Sequence, residues 1–397
     1  MLDPAYLMSV SDNVVEIYSQ VEQDIASDIA RRIVKNGYIT DTAQWQLQKA
    51  KELGYFQKDI DVILSEATGL SRKEIKRLMN EAGMKSLLYD DAIYKAAGLS
   101  PLSINKSPAM MALLLQGTDK TLSLIGNYTK TTAKMSNLAL NNILDRAFIQ
   151  IISGAYSPST AITNAVKEIA SKGINKIAYP TGHYSSVEAS VRRAVITGIN
   201  QATTKLQLAR MNEMQCELVE TSSHAGARPT HAEWQGRVFC IRGTHPKYGD
   251  FYRETDYGSG EGLCGWNCYH SFYPYYEGLS TRTFSSDPSA DAGRDNGLDY
   301  ELQQKQRYYE RKVREAKKEC VTYNSAMQST DDAQVYDNLY KEFQKSSVKL
   351  KNREKKLNDF LNENNKTRDR SREQSAGFDR STSSKAVWAN RKAKGGR

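Results

Sequence analysis

Long apolar runs are missing from this chain of 397 residues. It has no stretch of about 18 consecutive apolar residues, so a membrane-spanning helix is not expected. The first residues, MLDPAYLMSVSDN, lack the basic segment and the following apolar segment of a signal peptide. We therefore expect a protein that is made in a cytoplasm and has no membrane partner.

Cysteine is also scarce, with Cys216, Cys240, Cys264, Cys268 and Cys320 as the five in the chain. Their number is odd, and no export signal accompanies them. A disulfide framework needs paired cysteines and an oxidising compartment. We therefore expect the fold to be held together without disulfides.

An acidic excess is missing, and the basic excess is confined to one part of the chain. The formal net charge is +9. Residues 301–397 contain 24 Lys and Arg against 14 Asp and Glu, a net charge of +10, whereas the preceding 300 residues contain 31 against 32, a net charge of −1. A basic tail on a neutral body usually indicates an acidic partner, most often nucleic acid. A charge-rich helix that only faces solvent remains the alternative.

The N-terminal region, residues 1–155, has apolar residues at spacings of three and four, which predicts helices. Gly37 and Gly54 are expected to end two of them, and Ser71 with Glu74 has the spacing of a capping box that begins another. No pattern in this region indicates catalysis. We expect it to serve as scaffold or as a surface that contacts a partner.

The central region, residues 156–284, combines helices with short strands. Residues 217–221 and 237–241 are rich in β-branched or aromatic side chains and predict strands. The stretch that follows, up to Gly278, is rich in Gly, Pro, Tyr and Trp. We therefore expect a small, loop-rich α+β domain at the centre of a mainly α protein.

The C-terminal region begins with a polar linker at residues 285–297. Residues 298–364 predict two amphipathic basic helices with coiled-coil-like spacing, which either fold back as a hairpin or pair with another copy of the chain. Residues 365–397 are polar and basic and are expected to be disordered. The apolar seams of the two helices contain Leu302, Tyr309, Val313, Ala316, Cys320, Tyr323 and Met327, and then Tyr336, Tyr340, Phe343, Ser347, Leu350, Leu357 and Leu361.

Histidine and cysteine are crowded in one segment, because seven of the ten lie between positions 224 and 270. Imidazole and thiolate are the ligands that zinc prefers, and a structural zinc site needs four of them. The predicted ligand set is His231, Cys264, Cys268 and His270, where zinc would hold together a region with little apolar mass. No CxxC pair occurs, so the spacing favours the alternative, in which these side chains are hydrogen-bonded or packed against aromatic rings.

Catalytic interpretations find less support in the same segment. A cysteine–histidine pair has no third residue to orient the base. His224 and His231 with Glu233 suggest a metal-dependent hydrolase or nuclease, but their spacing does not match HExxH. We expect no catalytic residue and no enzymatic activity, with a metal-dependent hydrolase built on residues 224–270 as the alternative function.

The most specific signals are the motifs SHAGARPTHAEWQGRVF at 223–239 and YGSGEGLCGWNCYHSFYPYYEG at 257–278. Together with SVEASVRRAVITGINQ at 186–201, they resemble the phage minor capsid protein 2 family, which is similar to the Mu F-like head-morphogenesis proteins. Tyr269 departs from the related proteins, which more often have Arg there. The residues that carry the resemblance are Arg193, Asn200, His224, Arg228, Trp234, Gly236 and Asn267.

The resemblance implies a structural protein of a tailed-phage head that is made in the bacterial cytoplasm and incorporated into the virion. It implies a place near the portal vertex, contacts with the portal protein and other head proteins, and a role in head assembly, DNA packaging or ejection. The basic C-terminal helices lie outside the resembling part. For them we expect contact with packaged double-stranded DNA without sequence preference, because Lys and Arg bind its phosphates.

Overall fold

The computed structural model describes residues 2–36, 39, 41–174, 177–178, 184–393 and 395. Helices make up most of these residues and a small sheet accompanies them, which confirms the predicted class of a mainly α protein with a small α+β part. None of the helices in these ranges is both long enough and apolar enough to cross a lipid bilayer. Gly37, the expected end of the first long helix, lies outside the described residues.

Helices occupy both ends of the chain, and the short strands lie between Ile177 and Tyr275. The helices are α1 (Pro4–Ser9), α2 (Asp12–Asn36), α3 (Thr42–Ala96), α4 (Pro108–Ile152), α5 (Pro158–Lys172), α6 (Val187–Glu213), α7 (Pro229–Ala232), α8 (Phe251–Thr255), α9 (Pro288–Asp291), α10 (Asn296–Met327), α11 (Ala333–Glu363) and α12 (Arg380–Ala393). The strands are β1 (Ile177–Ala178), β2 (Tyr184–Ser185), β3 (Leu218–Thr221), β4 (Val238–Cys240), β5 (Gly249–Asp250) and β6 (Phe272–Tyr275).

The chain forms two compact units, and each is assembled from three separate segments. The first unit consists of residues 1–15, 69–127 and 189–304, and the second unit consists of residues 16–68, 128–188 and 305–397. The four-stranded sheet belongs to the first unit, and α5, α11 and α12 belong to the second. The division of the chain into consecutive regions stays a sequence-based prediction.

The α3 helix continues through Gly54 and Ser71, so the expected helix end and the expected new start are both wrong. Glycine inside a helix costs only about 1 kcal/mol relative to alanine. Trp45 and Phe56, on either side of Gly54, are buried, and burial of one large apolar side chain contributes roughly 2 kcal/mol. Packing therefore outweighs the local preference of glycine for a helix end.

The sheet of the first unit has the strand order β5-β4-β3-β6. β3 pairs antiparallel with β4 and β6, so that Val219 lies opposite Phe239 on one side and Pro274 on the other. β4 pairs with β5 in parallel. The strands expected at 217–221 and 237–241 are confirmed as β3 and β4. Pro274 has no backbone N–H to donate, which suits β6 as an edge strand.

The core of the first unit lies against this sheet. Phe239 and Phe272 from the sheet, Met211 from α6 and Tyr94 from α3 are buried in one cluster with Cys268 from the loop before β6. That loop is rich in glycine, yet its cysteine side chains point into the core. The loop is therefore anchored by its cysteines at the place where a ligand set was predicted.

The segment at 285–297 is folded and docked, and it is not the expected linker. Ser289, on α9, is fully buried, and its Oγ accepts a hydrogen bond from Gly226 N at 3.1 Å. The Asn296 side chain accepts from Ala227 N at 3.0 Å and donates to Ala227 O at 2.9 Å. Polar contacts of this kind replace the missing apolar mass and hold the loop that leads to α7.

In the second unit, α10 and α11 pack side by side as an antiparallel hairpin. The rings of Tyr309 and Phe360 lie 5.2 Å apart at one end, and Ser346 Oγ donates to Glu319 Oε2 at 3.2 Å nearer the turn. Of the two alternatives left open by the sequence, the described residues therefore show the hairpin. The apolar seams of the two helices therefore face each other within one chain.

The seam of α11 differs from the expected one in its first turns. Val335 and Leu339 are fully buried there, whereas Tyr336 is 45% exposed and stacks on Tyr340. The predicted positions are therefore wrong by one residue, and the seam is as predicted from Phe343 onwards. A Tyr has apolar and polar parts, so its presence alone does not tell which neighbour faces the core.

The tail at 365–397 was expected to be disordered, but α12 forms within it and packs on α11. Thr382, Ala386 and Ala389 are buried on one face of α12. Their spacing of four and three places them on a narrow stripe of small side chains. Composition does not reveal such a stripe, because small residues add little to the hydrophobicity of a segment.

Candidate metal centre

Two loops of the first unit bring three of the four predicted ligands together. His231 lies on α7, which begins at Pro229, a residue whose fixed φ suits the first position of a helix. Cys264, Cys268 and His270 lie on the loop between α8 and β6. Because β6 and β3 are antiparallel neighbours, the loop before β6 and the loop after β3 lie at the same end of the sheet.

The cluster of His231, Cys268 and His270 is compact and buried. Cys268 Sγ lies 3.9 Å from His231 Nδ1 and 3.7 Å from His270 Nδ1. One potential ligand atom from each side chain lies within 4.8 Å of the other two. The three residues are at most 3% exposed. We call this set the His-Cys-His cluster.

The outer nitrogen of each imidazole is held by a hydrogen-bond acceptor. His231 Nε2 lies 2.7 Å from the carbonyl oxygen of Glu261, and His270 Nε2 lies 3.1 Å from Gln235 Oε1. The orientation of the Gln235 amide follows from its second contact, because Oε1 also accepts from the backbone N–H of His224 at 3.1 Å. Both Nε2 atoms therefore carry the ring proton, and both Nδ1 lone pairs face Cys268 Sγ.

Asn200 of α6 holds the loop that carries Cys268. Asn200 Nδ2 donates to the carbonyl oxygens of Cys268 at 3.0 Å and of His270 at 2.9 Å. Cys264 and Asn267 have positive φ, 61° and 52°, a region in which Asn is enriched and most other residues are rare. A tight, irregular loop of this kind needs the Asn200 clamp, because its carbonyls have no strand partner.

Burial holds both imidazoles neutral. It lowers the pKa of His231 to about 4 and lowers the pKa of His270 well below its ordinary value. Removal of a charged ring from water is costly, so the neutral form is favoured inside the protein. Neutral imidazole is also the form that can donate a lone pair to a cation.

Burial acts in the opposite direction on the thiol, because it raises the pKa of Cys268 to about 11. The thiol is therefore protonated at neutral pH unless a cation replaces its proton. A protonated, inaccessible thiol is a poor nucleophile. This electrostatic environment disfavours a cysteine hydrolase and is compatible with either a hydrogen-bonded thiol or a metal thiolate.

Cys264 and His224 lie beside the cluster but outside it. Cys264 Sγ is directed at the carbonyl oxygen of His270, at 3.9 Å, and is buried in the apolar core. The ring of His224 stacks on that of His270 at 4.5 Å between centroids, and His224 Nδ1 lies 3.1 Å from Ala225 O. The structure therefore brings together three of the four predicted ligands.

The remaining residues of the crowded segment lie elsewhere. Cys240 is on β4 and packs with Leu218 and Val238. His245 stacks on Tyr248 with ring centroids 4.9 Å apart. Not all of the histidines and cysteines that are close in sequence are therefore close in space.

Among the signature residues, Trp234 packs directly on the cluster. The ring of Trp234 lies 4.7 Å from that of His231 and 4.9 Å from that of His270. Gly236 has a φ of 60°, and a side chain there would meet Ser285 O. Arg228 Nη2 donates to Trp266 O at 3.2 Å, and Asn267 N donates to Thr197 Oγ1 at 3.2 Å. Arg193, on α6, is half-buried.

Gln235 is the residue that sequence reasoning missed. It is fully buried and joins His270 to the backbone at His224, and its Nε2 has no hydrogen-bond partner within the described residues. Its place in the WQG part of the motif was visible. Nothing in the spacing, however, indicated that a neutral amide would hold a histidine ring.

Similar proteins define the class of this protein. The chain is 24% identical over 292 residues to a "Structural protein" of Lactococcus phage LL-H, which covers 70% of this chain and 76% of the relative. It is 44% identical over 73 residues to a "Structural protein" of Lactococcus phage mv4, which covers 18% of this chain and 55% of that relative. No solved structure matches. The chain is therefore of the class of bacteriophage structural proteins.

The family model of phage minor capsid protein 2 matches residues 2–362. The chain belongs to this family, which confirms the resemblance seen in its motifs, and its place is accordingly in the virion. The match includes α10 and α11, which lay outside the resembling part of the sequence, and ends before α12.

Proposed function

We propose that this chain is a non-enzymatic component of the phage head that lies near the portal vertex and acts in head assembly or in DNA packaging and ejection. Membership of a minor capsid family supports a structural role among other head proteins. The portal protein is the partner that the motif resemblance favours. The C-terminal helices are proposed to contact packaged double-stranded DNA without sequence preference.

The observation that carries the DNA contact is a cation-lined cleft along α11. Its lining contains four basic side chains and no carboxylate: Lys345, Val348, Lys349, Asn352, Arg353 and Lys356. Lys345 also pairs with Glu342, and a pair with so exposed a lysine is weak enough to exchange for phosphate. Lys349 pairs with the buried carboxylate of Glu319. The net charge of +10 in residues 301–397 also favours binding to the phosphates of DNA.

A charge-neutralising variant tests this interaction in the full chain. We expect the double variant Lys345→Gln and Lys356→Gln, which neutralises two exposed lysines of this cleft, to weaken binding to DNA of any sequence. The slope of log affinity against log salt is negative, and each phosphate contact that the variant loses should make it less negative by about 0.9. The measurement is fluorescence anisotropy with two unrelated duplexes over a range of salt concentrations.

The matched control removes the same charge from two exposed lysines of the first unit, through Lys73→Gln and Lys76→Gln. The control should keep the salt slope of the wild type. The proposal would be contradicted if the salt slope became less negative by the same amount in both variants, or if the wild type bound no DNA at low salt.

The portal location is tested on purified virions. Quantitative mass spectrometry is expected to give a few copies per particle, and a reconstruction without imposed symmetry is expected to show them at the portal vertex. A protein absent from virions, or present at every vertex, would contradict the location.

The alternative, a virion-delivered metal-dependent hydrolase or nuclease, finds no specific support. A catalytic metal needs a coordination position that substrate can reach. The side chains of the His-Cys-His cluster are at most 3% exposed. We therefore favour the structural role.

A further inference from the structure

We propose that the His-Cys-His cluster is a structural metal centre, in which His231 Nδ1, Cys268 Sγ and His270 Nδ1 bind one zinc-type divalent ion. The ligand set is thereby narrowed to three residues with one donor atom each. This metal centre does not depend on the portal location or on DNA binding.

The cluster has too few protons to satisfy its own acceptors. Two Nδ1 lone pairs face one sulfur, and within the described residues the S–H of Cys268 is the polar hydrogen that both of them meet. That proton can satisfy only one of the two nitrogens, and a buried acceptor without a donor costs roughly 1 to 3 kcal/mol. A cation in place of the thiol proton satisfies both nitrogens and the sulfur at once, with the proton released to solvent.

The distances within the cluster also fit a metal ion. In a tetrahedral zinc site, Zn–N distances of about 2.05 Å and Zn–S distances of about 2.3 Å separate nitrogen from sulfur by about 3.6 Å. The observed separations of 3.7 and 3.9 Å are close to this value. The two ligand nitrogens lie within 4.8 Å of each other, whereas a tetrahedral zinc site would hold them about 3.3 Å apart, so an ion would draw the two imidazole rings towards each other.

The groups behind the ligands orient them as in known metal sites. Metal-binding histidines usually donate their second ring N–H to a carbonyl or carboxylate oxygen, which fixes the ring and its tautomer. His231 does so to Glu261 O and His270 to Gln235 Oε1. Asn200 in turn holds the carbonyls on both sides of the cysteine-to-histidine turn. The rings are thus oriented before any ion arrives.

The donor set and its burial define the kind of ion and its role. One thiolate with two imidazoles favours zinc and similar transition metals over magnesium or calcium. The three protein ligands fill three of the four tetrahedral positions, so a small ligand such as water would take the place of the fourth protein ligand that the sequence led us to expect. Because the three side chains are at most 3% exposed, we assign the ion to tying the loop that carries α7 to the loop before β6.

The test is cobalt and zinc binding by the full chain without an affinity tag. Titration of metal-free protein with Co²⁺ should give a thiolate-to-cobalt absorption band that saturates at one equivalent, and zinc should displace it. Cys268→Ser should abolish the band. Cys264→Ser is the matched control, because Cys264 is also a buried cysteine of the same loop, and it should retain the band.

A second variant pair keeps the proposal testable if Cys268→Ser does not fold. Gln235→Leu removes the acceptor of His270 Nε2–H and should weaken metal binding about 10- to 100-fold, whereas Gln235→Glu keeps an acceptor and should restore it. The proposal is overturned if wild-type protein shows no thiolate band, if Cys264→Ser loses the band as Cys268→Ser does, or if Gln235→Leu binds metal like the wild type.

Discussion

Asp90 is a carboxyl group that the first unit buries completely. Its Oδ2 accepts a hydrogen bond from Gln207 Nε2 at 3.0 Å, whereas its Oδ1 has no partner among the described residues. Burial raises its pKa well above the ordinary value, and the neighbouring Asp91 acts in the same direction. The charged form is therefore unfavourable in the folded state, because a buried charge without a partner costs free energy.

The sign of this shift predicts the effect of Asp90→Asn. A raised carboxyl pKa contributes stability that is present below the unfolded pKa and is lost as pH rises through the folded pKa. An amide stays neutral and still accepts from Gln207, so Asp90→Asn should raise the free energy of unfolding at pH 8 by about 1 kcal/mol. Denaturant unfolding at pH 8 and pH 4 measures this, and the gain should shrink at pH 4.

Asp91→Asn is the control at the next position. Asp91 Oδ1 lies 3.6 Å from Nε of the buried Arg210, so its neutralisation removes a partner of that cation. Burial also raises the pKa of Asp91, against the effect of Arg210, so we expect a smaller gain in stability at pH 8 for this variant than for Asp90→Asn. A loss of stability for Asp90→Asn at pH 8 would show that the buried carboxyl group is favourable as it stands.

At the same residue scale, side-chain chemistry predicted four ligands, and three of them lie together in the candidate site. His231, Cys268 and His270 were predicted because imidazole and thiolate bind zinc. Cys264 was included because of its spacing, but the turn at Gly265 and Asn267 directs its side chain into the core. Side-chain direction in an irregular loop depends on each φ and ψ, which the residue names do not determine.

At the scale of elements, an ion cluster in the second unit joins three helices. Lys318, on α10, binds Glu22 of α2 at 2.8 Å and Glu188 of α6 at 2.7 Å. Burial on its own would raise the pKa of Glu188, but Lys318 and Arg314 lower it to about 2. The carboxylate is therefore stabilised by the folded state.

The lowered pKa of Glu188 predicts acid sensitivity. Stability from this group is present above its unfolded pKa of about 4.5 and is lost as pH falls towards 2. Glu188→Gln should cost roughly 2 kcal/mol at pH 7 and should flatten the fall in unfolding free energy between pH 4.5 and 2. Urea unfolding across this pH range is the measurement.

Glu363→Gln is the matched control, because Glu363 is exposed on α11. It should leave both the stability at pH 7 and the acid profile unchanged. An acid profile of Glu188→Gln equal to that of the wild type would mean that other carboxylates cause the loss.

The docking of α12 on α11 makes a second prediction at this scale. Ala386 is 3% exposed and Val387 is 50% exposed. Ala386→Glu would bury a carboxylate and should release α12, so trypsin should cut the segment between α11 and α12 about tenfold faster, equal to about 1.4 kcal/mol of docking free energy. Val387→Glu adds the same charge in solvent and should be cut like the wild type. Equal cleavage of both variants would contradict the docking.

Elements were predictable where the local pattern and the packing agree. β3 and β4 are confirmed, because their β-branched and aromatic residues face a core on a short extended segment. The expected helix end at Gly54 is wrong, and so is the expected disorder of the tail. In both places a weak local preference was overruled by contacts with residues far away in sequence.

At the scale of the whole molecule, the charge distribution and the family motifs can be obtained from the sequence alone. The net charges of +10 and −1 in the two parts of the chain follow from residue counts. The motif at 223–239 indicated the family that the match over residues 2–362 confirms. Both are properties of composition and order, which folding leaves unchanged.

The two compact units are different, because each takes three segments from distant parts of the chain. No local pattern marks where α3 or α4 passes from one unit to the other. Membership of a unit depends on which buried surfaces meet, and that is a property of many residues acting together.

The sequence by itself determined that this is a mainly α, basic-tailed phage structural protein. Periodicity, residue counts and motif identity are local quantities that can be read along the chain. Only the tertiary structure decided that His231, Cys268 and His270 face one another with Gln235 and Asn200 behind them, and that α10 and α11 close on each other. The reason is physical, since distances of a few ångströms between residues 30 or 40 positions apart are set by the packing of the whole core.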